Sequence, residues 1–215
     1  MIDLAIYGAG GYGREVASAL KRVHDCDKGK WRLIGFFDDG KTPGEPVDEF
    51  GRVLGGINEL NSWQRPLDVV LAFGNPQTLF TVRTKITNPL LTFPNIIDES
   101  IFIAEDSSFS LGEGNIIGRI CGFSINNRIG SFNVFNGANN TGHDLTVGDF
   151  NVFMPGSRIS GGVSIGDRNL IGADSFILQE LRIGNDVTVG PLSALLSKPK
   201  DGYVYMGNPA KKFQF

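Results

Sequence analysis

The sequence has few of the residues that build metal sites and disulfide frameworks. Only two cysteines and two histidines occur among its 215 residues. Cys26 and Cys121 fall in different parts of the chain, which favours reduced thiols over a disulfide framework. Three-histidine zinc sites are disfavoured too, because His143 has no second histidine near it in the repeat described below. We therefore expect a protein without a metal.

Long apolar runs and an excess of positive charge are also missing. No apolar run approaches the roughly 20 residues that a membrane-spanning helix needs. The first residues, MIDLAIYGAGG, lack the basic start and the apolar core of a signal peptide. The formal net charge is -3, so the chain has no excess of positive charge to neutralise a row of nucleic-acid phosphates. We expect a cytoplasmic protein that binds neither nucleic acid nor membrane.

What the sequence does have is glycine, 29 residues of it, and a repeat that contains much of this glycine. From Leu111 to Leu195 an apolar residue recurs at every sixth position, and only Thr141 breaks the series. The positions four residues further on repeat every eighteen residues, with asparagine at 115, 133, 151 and 169. Six-residue steps that superpose after three steps predict a three-sided β-helix with stacked coils.

The columns of this predicted β-helix have distinct roles. The apolar columns fill the inside of the prism, and the asparagine column can form a ladder of side-chain amides. Glycines such as Gly130 and Gly142 directly follow apolar members. We interpret them as bend residues that must be free of Cβ strain.

The first part of the chain has a different pattern. A short buried strand over residues 3–7 is followed by Gly8-Ala9-Gly10-Gly11-Tyr12-Gly13 and by a helical pattern over residues 14–23. Strand, glycine loop and helix in this order are typical of a phosphate-binding turn. The glycines let the backbone approach a phosphate, and the helix N-terminus offers it free N–H groups. A tight turn that only holds the helix to a sheet is the alternative.

Two further strands extend this N-terminal domain. The strand over residues 32–37 ends at Asp38 and Asp39, where a dinucleotide fold grips a ribose hydroxyl, and a solvated strand exit is the alternative. The strand over residues 67–73 precedes Gly74-Asn75-Pro76, in which Asn75 suits the N-cap of a helix that runs to about residue 86. The domain, which we place at residues 1–97, is about half of a dinucleotide fold, so a nucleotide sugar fits it better than NAD. The β-helix and its tail then occupy residues 98–215.

His143 is the candidate catalytic residue of the repeat. In its six-residue step Thr141 and Leu145 take the inward positions, so His143 projects outward and has no role in the core. Imidazole titrates close to neutral pH, and the adjacent Asp144 can orient the ring, as general-base catalysis requires. Such a base fits acyl transfer from a thioester without a covalent enzyme intermediate. An idle surface histidine is the alternative.

Several stretches carry a resemblance to a known family: the hexad array, the segment NGANNTGHDLTVGD at 136–149 and the ending Gly207-Asn208-Pro209-Ala210-Lys211. With the glycine loop in front, nearly the whole chain is similar to the left-handed β-helix sugar acyltransferases of the sialic acid O-acetyltransferase type. This group includes bacterial N-acetyltransferases of nucleotide-linked 4-amino-4,6-dideoxy sugars. The resemblance implies an α/β Rossmann-like half domain followed by an all-β left-handed parallel β-helix. It also implies a homotrimer with acetyl-CoA in the groove between neighbouring subunits.

The resemblance assigns roles to residues that act on the acceptor. His143 matches the base, Asp144 its acidic neighbour and Asn136 an asparagine near the acceptor sugar. The nucleotide would be contacted by residues of the N-terminal domain, namely Gly11, Tyr12, Asp38, Asp39, Gly74 and Asn75.

The resemblance also assigns residues to acetyl-CoA. Backbone groups of Gly161 and Ala173 match positions that hydrogen-bond the pantetheine arm. The charge count agrees with this assignment: the tail after residue 195 has four lysines against one aspartate, so we expect Lys198 and Lys211 to pair with the coenzyme A phosphates. A solvated basic tail is the alternative.

Two positions depart from the pattern of the relatives. Tyr12 stands where they often carry a histidine in the glycine loop. Val152 stands where they often carry a second histidine, nine residues after the base. Both substitutions change contacts that the resemblance would otherwise imply.

The sequence therefore predicts an acetyl-CoA-dependent N-acetyltransferase that acts on a nucleotide-linked amino sugar. O-acetylation of sialic acid or of another sugar hydroxyl is one alternative. A non-catalytic, sugar-nucleotide-binding trimeric scaffold is another. An NAD-dependent oxidoreductase ranks below both because no second domain with hydride-transfer residues is apparent.

Overall fold

The computed structural model describes residues 1–20, 23 and 30–213, so His24 and Cys26 lie outside the described residues. The chain divides into two compact units. One comprises Met1–Gly74 and Thr78–Glu99, and the other Asn75–Gln77 and Ser100–Phe215. In the part of the chain that the structure describes, no helix is long and apolar enough to cross a membrane.

The first unit is built on a parallel sheet with the strand order β3-β2-β1-β4-β5. Its central strand, β1, is apolar and fully buried from Leu4 to Ile6, as is typical of strands covered on both faces. A short 3-10 turn, Asp48–Phe50, precedes β3. The elements up to residue 97 are β1 (Ile2–Tyr7), α1 (Gly11–Ala19), β2 (Trp31–Phe37), β3 (Val53–Gly55), α2 (Ile57–Asn61), β4 (Leu67–Leu71), α3 (Pro76–Lys85), β5 (Leu91–Thr92) and β6 (Ile96–Ile97).

Helix α1 begins three residues earlier than the sequence pattern predicts, at Gly11 instead of residue 14. The reason is the close packing of Gly13, where a Cβ atom would lie 1.8 Å from the carbonyl oxygen of Gly8. Because no side chain intervenes, the helix can wind directly onto the end of β1. The last two glycines of the loop therefore belong to the first helical turn.

The second unit is a stack of short parallel strands that repeat every eighteen residues. Phe123 pairs with Thr141, and Thr141 pairs with Ile159 on the next coil. A short 3-10 turn, Asp106–Ser108, lies near its start. The strands are β7 (Phe102–Ile103), β8 (Ser110–Leu111), β9 (Ile116–Ile117), β10 (Gly122–Phe123), β11 (Arg128–Ile129), β12 (Val134–Phe135), β13 (Asn140–Thr141), β14 (Thr146–Val147), β15 (Val152–Phe153), β16 (Arg158–Ile159), β17 (Ser164–Ile165), β18 (Leu170–Ile171), β19 (Phe176–Ile177), β20 (Arg182–Ile183), β21 (Thr188–Val189), β22 (Ala194–Leu195), β23 (Val204–Met206) and β24 (Lys211–Phe213).

The described strands of this unit form the faces of a prism. The first face runs from β7 through β10, β13, β16 and β19 to β22, and the second from β8 through β11, β14 and β17 to β20. The third contains β9, β12, β15, β18 and β21, and it ends in the antiparallel hairpin of β23 and β24. Consecutive strands thus lie on successive faces, as the eighteen-residue period predicts.

The inside of the prism is filled by the predicted columns. The rings of Phe135 and Phe153 stack with centroids 4.3 Å apart. In the asparagine column, the Oδ1 of Asn151 accepts hydrogen bonds from the backbone N–H and the side-chain amide of Asn169, both at 2.9 Å. The Nδ2 of Asn151 donates to the Oδ1 of Asn133 and to the Gly166 carbonyl. Stacking of this kind satisfies buried amides from one coil to the next.

The corners of the prism correct our interpretation of the glycines. Every sixth residue from Gly114 to Leu192 has a φ between 52° and 76°, including Ile120 and Asp144. Glycines such as Gly142 are not among these left-handed positions. A Cβ atom on Gly142 would instead lie 2.4 Å from the backbone nitrogen of Gly161 on the next coil. The repeat glycines are therefore required by close approach between coils, and the prediction that they relieve strain at the bends is wrong.

Candidate active site

His143 lies at a corner of the prism, between β13 and β14. Thr141 and Leu145, on either side of it, are buried inside the coil. The hydroxyl of Thr141 accepts a hydrogen bond from the side-chain amide of Asn127 at 3.0 Å, which explains a polar residue in the apolar column. The His143 side chain itself is 63% exposed. The local fold thus presents the imidazole to solvent.

The imidazole of His143 is held by Asp144. Its Nδ1 lies 2.7 Å from the Oδ2 of Asp144. Since an ionised carboxylate only accepts hydrogen bonds, this contact places the ring proton on Nδ1 and leaves the lone pair on Nε2. The hydrogen bond from His143, followed by one from Asn126, holds the pKa of Asp144 below its ordinary value. Asp144 is therefore ionised at neutral pH, as an orienting partner of a base requires.

Asn126 is a member of this site that the sequence analysis missed. Its Nδ2 donates to the Oδ1 of Asp144 at 2.9 Å, so both carboxylate oxygens are engaged. The signal in the sequence is the eighteen-residue period, because Asn126 occupies the same register as Asp144 one coil earlier. A polar residue that stacks on the pair of His143 and Asp144 is found when the corner positions, and not only the inward positions, are aligned at this period.

Gly161 provides a surface for the ring of His143. It occupies the same register on the next coil, and a Cβ atom on it would lie 2.5 Å from Nε2. The backbone is tied at the same point, since the N–H of Gly162 donates to the His143 carbonyl at 2.8 Å. The absence of a side chain at residue 161 thus permits the observed ring position.

We expect the substitution Gly161→Ala to displace the imidazole and to lower kcat by about tenfold, since small misplacements of a reacting group have effects of this size. The closest atoms to the added methyl group all belong to the His143 ring, so the backbone of the coil stays in place. Steady-state kinetics and the melting temperature of the same preparation check this. A fall in the melting temperature with unchanged kcat would contradict it.

The remaining predicted residues of the second unit lie elsewhere on the prism. Asn136 and Ala173 follow β12 and β18 of the third face, whereas His143 and Gly161 follow strands of the first face. The carbonyl of Ala173 accepts the N–H of Leu192 at 2.8 Å. These two pairs of residues therefore occupy different corners of one chain.

The structure also gives the positions of the basic tail and of Val152, the second departure from the family pattern. Lys198 is exposed beyond β22, and Lys211 begins β24, where it pairs with Met206. The Lys212 ammonium lies over the Tyr203 ring, 3.3 Å from its centroid. Val152 is fully buried in β15 and offers no group to a ligand.

The candidate nucleotide residues gather at the carboxyl ends of β1 and β2. Both oxygens of Asp38 accept backbone hydrogen bonds at 2.8 Å, from Ala9 and from Gly40. Asp38 thus fastens the glycine loop to the end of β2. The Oδ1 of Asp39 accepts the N–H of Ile57, also at 2.8 Å. A Cβ atom on Gly10 would meet nothing within 4 Å, so this part of the loop is open.

Tyr7 is a second residue that the sequence analysis missed, because a tyrosine in an apolar strand is typical of a core. Its ring stacks on Phe37, with centroids 6.5 Å apart. Burial and the carboxylate of Asp39 raise the pKa of Tyr7 well above its ordinary value. The Tyr7 hydroxyl is therefore protonated and lies at the same edge of the sheet as the acidic pair.

The other predicted nucleotide residues fall into two groups. Gly11 and Tyr12 form the first turn of α1, next to the loop. Gly74 belongs to the first unit, while Asn75, which precedes α3, is grouped with the second unit. Among residues 1–20, 23 and 30–213, no group of three or more His, Cys, Asp or Glu side chains is arranged to hold a metal ion.

Comparison with known proteins identifies relatives of the first unit and of the whole fold. Residues 3–88 match the family described as PglD N-terminal domain. None of the curated proteins searched matches the chain. The acetyltransferase domain of PglB from Neisseria gonorrhoeae FA1090 superposes with a TM-score of 0.88 at 25% identity, over 99% of this chain and 100% of that domain. The same domain in complex with acetyl coenzyme A gives a TM-score of 0.85 at 27% identity and 98% coverage of each chain.

Two more distant structures have the same fold. PerB from Caulobacter crescentus, in complex with CoA and GDP-perosamine, gives a TM-score of 0.83 at 23% identity, over 99% of this chain and 97% of PerB. WeeI from Acinetobacter baumannii AYE gives 0.85 at 22% identity, over 99% of this chain and 100% of WeeI. The predicted fold class, a Rossmann-like half domain followed by a left-handed parallel β-helix, is confirmed. The chain therefore has the fold of the PglB acetyltransferase domain, and its residues 3–88 match the PglD N-terminal domain family.

Proposed function

We propose that this protein is an acetyl-CoA-dependent N-acetyltransferase whose acceptor is the amine of a nucleotide-linked amino sugar, such as a 4-amino-4,6-dideoxy sugar. The observation that carries the proposal is the exposed pair of His143 and Asp144, which leaves Nε2 with a lone pair. The pair lies on a β-helix shared with PglB, an acetyltransferase domain whose structure contains acetyl coenzyme A.

The pair supports a direct transfer in one attack. The neutral amine of the acceptor attacks the thioester carbonyl, and Nε2 of His143 removes the proton that the amine loses as the new C–N bond forms. Asp144 stabilises the imidazolium by its charge and hydrogen bond. When the C–S bond breaks, the imidazolium returns the proton to the departing thiolate. Cys121, the cysteine that the structure describes, is buried in the coil and is no nucleophile for this reaction.

Two different corners of the prism supply the residues that bind acetyl-CoA in this proposal. In the proposal, the backbone N–H groups of Gly161 and Ala173 donate to the pantetheine arm, and Lys198 and Lys211 pair with the phosphates. Gly161 and Ala173 follow strands of different faces. A homotrimer, in which one corner of a copy faces another corner of its neighbour, supplies both to one acetyl-CoA molecule. Asn136 then contacts the acceptor sugar.

The first unit binds the nucleotide of the acceptor. Its support is the open glycine loop that precedes Gly11 and Tyr12, because a helix N-terminus attracts phosphate. The Oδ1 of Asp39 accepts the N–H of Ile57. In the proposal, the Oδ2 of Asp39 accepts a hydrogen bond from the nucleotide. GDP-perosamine in the PerB structure is a ligand of this chemical class.

Replacing Asp39 by asparagine should raise the KM for the nucleotide sugar by about tenfold and leave the KM for acetyl-CoA unchanged. The asparagine Oδ1 still accepts the N–H of Ile57, so the loop after β3 is retained while the negative charge is lost. Glu49→Gln is a matched control, since it removes an exposed carboxylate of the same unit. An equal effect of both variants, or no effect of either, would contradict the assignment.

The proposed function is tested with purified protein, acetyl-CoA and a panel of UDP-, GDP- and dTDP-linked 4-amino sugars. We expect release of the coenzyme A thiol with at least one acceptor and a product whose acetyl group resists hydroxylamine, as an amide does. A product that hydroxylamine cleaves identifies an ester and overturns N-acetylation in favour of a sugar O-acetyltransferase. If calorimetry shows nucleotide-sugar binding but no acetyl-CoA binding, the protein is a scaffold and the proposal fails.

A further inference from the structure

The side chain of Asn126 forms the base of a three-residue stack at one corner of the β-helix. Asn126 and Asp144 are eighteen residues apart, and both have a φ of 56°. The amide Nδ2 of Asn126 reaches the Oδ1 of Asp144 at 2.9 Å, and the Oδ2 of Asp144 reaches the Nδ1 of His143 at 2.7 Å. The backbone of Asn126 is itself fixed, because its N–H donates to the Oγ of Ser108 at 3.0 Å.

An exposed carboxylate needs a second contact to hold an imidazole in one orientation. The Asp144 side chain is 55% exposed, so its rotamer is not fixed by surrounding core. With one oxygen bonded to Asn126 and the other to His143, rotation of the carboxylate breaks at least one hydrogen bond. The donor is a neutral amide, which leaves the negative charge of Asp144 to act on the imidazole.

We infer that Asn126 is a positioning residue of the transfer reaction. This inference rests on the proposed function of His143 as the base. Asn126 acts through Asp144: it holds the carboxylate in the rotamer that keeps the His143 proton on Nδ1 and the lone pair on Nε2. The competing explanation is that asparagine stands here only because it tolerates a left-handed backbone.

Kinetics of Asn126→Gly separate these explanations. Glycine accepts the left-handed backbone without strain, so the variant removes the amide and keeps the corner. We expect kcat to fall by about tenfold, with both KM values and the melting temperature nearly unchanged. Ile120→Gly is the matched control, because Ile120 has a φ of 58° at another corner of the prism and is exposed. A kcat that Asn126→Gly leaves unchanged overturns the inference.

The isosteric variant Asn126→Asp gives a second signature. The charged groups that face Asp144 are His143 and Arg128, and the variant adds a further carboxylate to them. The added negative charge favours the protonated imidazole, so we expect the acid limb of the kcat/KM profile to move to higher pH. The size of the shift reports the coupling between residue 126 and the pair of His143 and Asp144, so an unshifted limb contradicts the inference.

Two further measurements show whether Asn126 acts through Asp144. In a double-mutant cycle, Asn126→Gly should lower kcat much less in an Asp144→Asn background than in the wild type. The tautomer of His143 is read directly from the ring nitrogen shifts of protein labelled with 15N-histidine, which has only two histidines. We expect the Nδ1–H tautomer in the wild type and a shift towards Nε2–H in Asn126→Gly.

The nitrogen shifts also separate failure of the inference from failure of the proposed function. If the wild type is inactive with every acceptor, the proposed function fails, while the tautomer still reports the contact with Asp144. Additive effects in the cycle, or the same tautomer in wild type and variant, overturn the positioning role even if the enzyme is active.

Discussion

Replacing His143 with alanine is expected to lower the rate of acetyl transfer by about a thousandfold, within the range that general-base catalysis contributes. The amine then has no group to take its proton, and only positioning of the two substrates remains. Because the ring is exposed and held mainly through Asp144, the fold does not depend on it. Single-turnover release of the coenzyme A thiol measures the rate, and calorimetry with acetyl-CoA checks that binding is retained.

The pH profile of the wild type gives this prediction a control. Asp144 is ionised well below neutral pH, since its pKa is lowered by the hydrogen bonds from His143 and Asn126. Protonation of Asp144 should therefore not limit activity near neutral pH. Both enzymes share the acid limb of the acceptor amine, and any further acid limb of the wild type should be missing from the residual activity of His143→Ala. A variant with near wild-type rate would show that His143 is an idle surface residue.

The substitution Asn151→Val is expected to lower the free energy of unfolding by about 4 kcal/mol. It leaves the backbone N–H of Asn169 and one N–H of its side-chain amide without their acceptor, while the other amide N–H still donates to the Gly184 carbonyl. Each buried donor without a partner costs about 1–3 kcal/mol. Valine occurs in the same column at Val187, but there it ends the ladder and no asparagine of the next coil needs it. At position 151, by contrast, Asn169 on the next coil needs the side-chain oxygen as its acceptor.

Urea denaturation followed by circular dichroism measures this loss of stability. Asn140→Ala is the matched control, because Asn140 is an exposed asparagine of the same β-helix whose side-chain amide donates only to the Ala138 carbonyl at 3.3 Å. Its unfolding free energy should stay within about 0.5 kcal/mol of the wild type, as for most surface substitutions. Equal stability of the two variants would show that the amide ladder contributes little.

The fold was predictable because the buried side chains repeat with the period of the coil. Apolar residues at every sixth position and asparagines at every eighteenth fill the inside of the coil, so the sequence itself repeats there. The corners were not predictable, since Ile120, Asp144 and Leu192 have little chemistry in common and yet share a left-handed φ. Stacking of the coils imposes that conformation, and no residue type marks it.

The candidate site was predictable only in part, for a related reason. The outward direction of His143 follows from the register of its own six-residue step. The contact with Asn126 joins two coils, so it becomes visible only when corner residues are aligned at the long period. In the first unit, Asp38 has the residue type of a ribose ligand but uses both oxygens to bind the backbone. Tyr7 was missed because a tyrosine within an apolar strand is typical of a core residue.

The most direct test of His143 as the base is a crystal structure of the protein with coenzyme A and a nucleotide-linked amino sugar. We expect the acceptor amine within about 3 Å of Nε2 of His143, the distance at which a base can remove a proton. The hydrogen bond between Nδ1 and Asp144 should be retained in that complex. An amine bound beyond the reach of Nε2, with no bridging water, would contradict the proposed reaction.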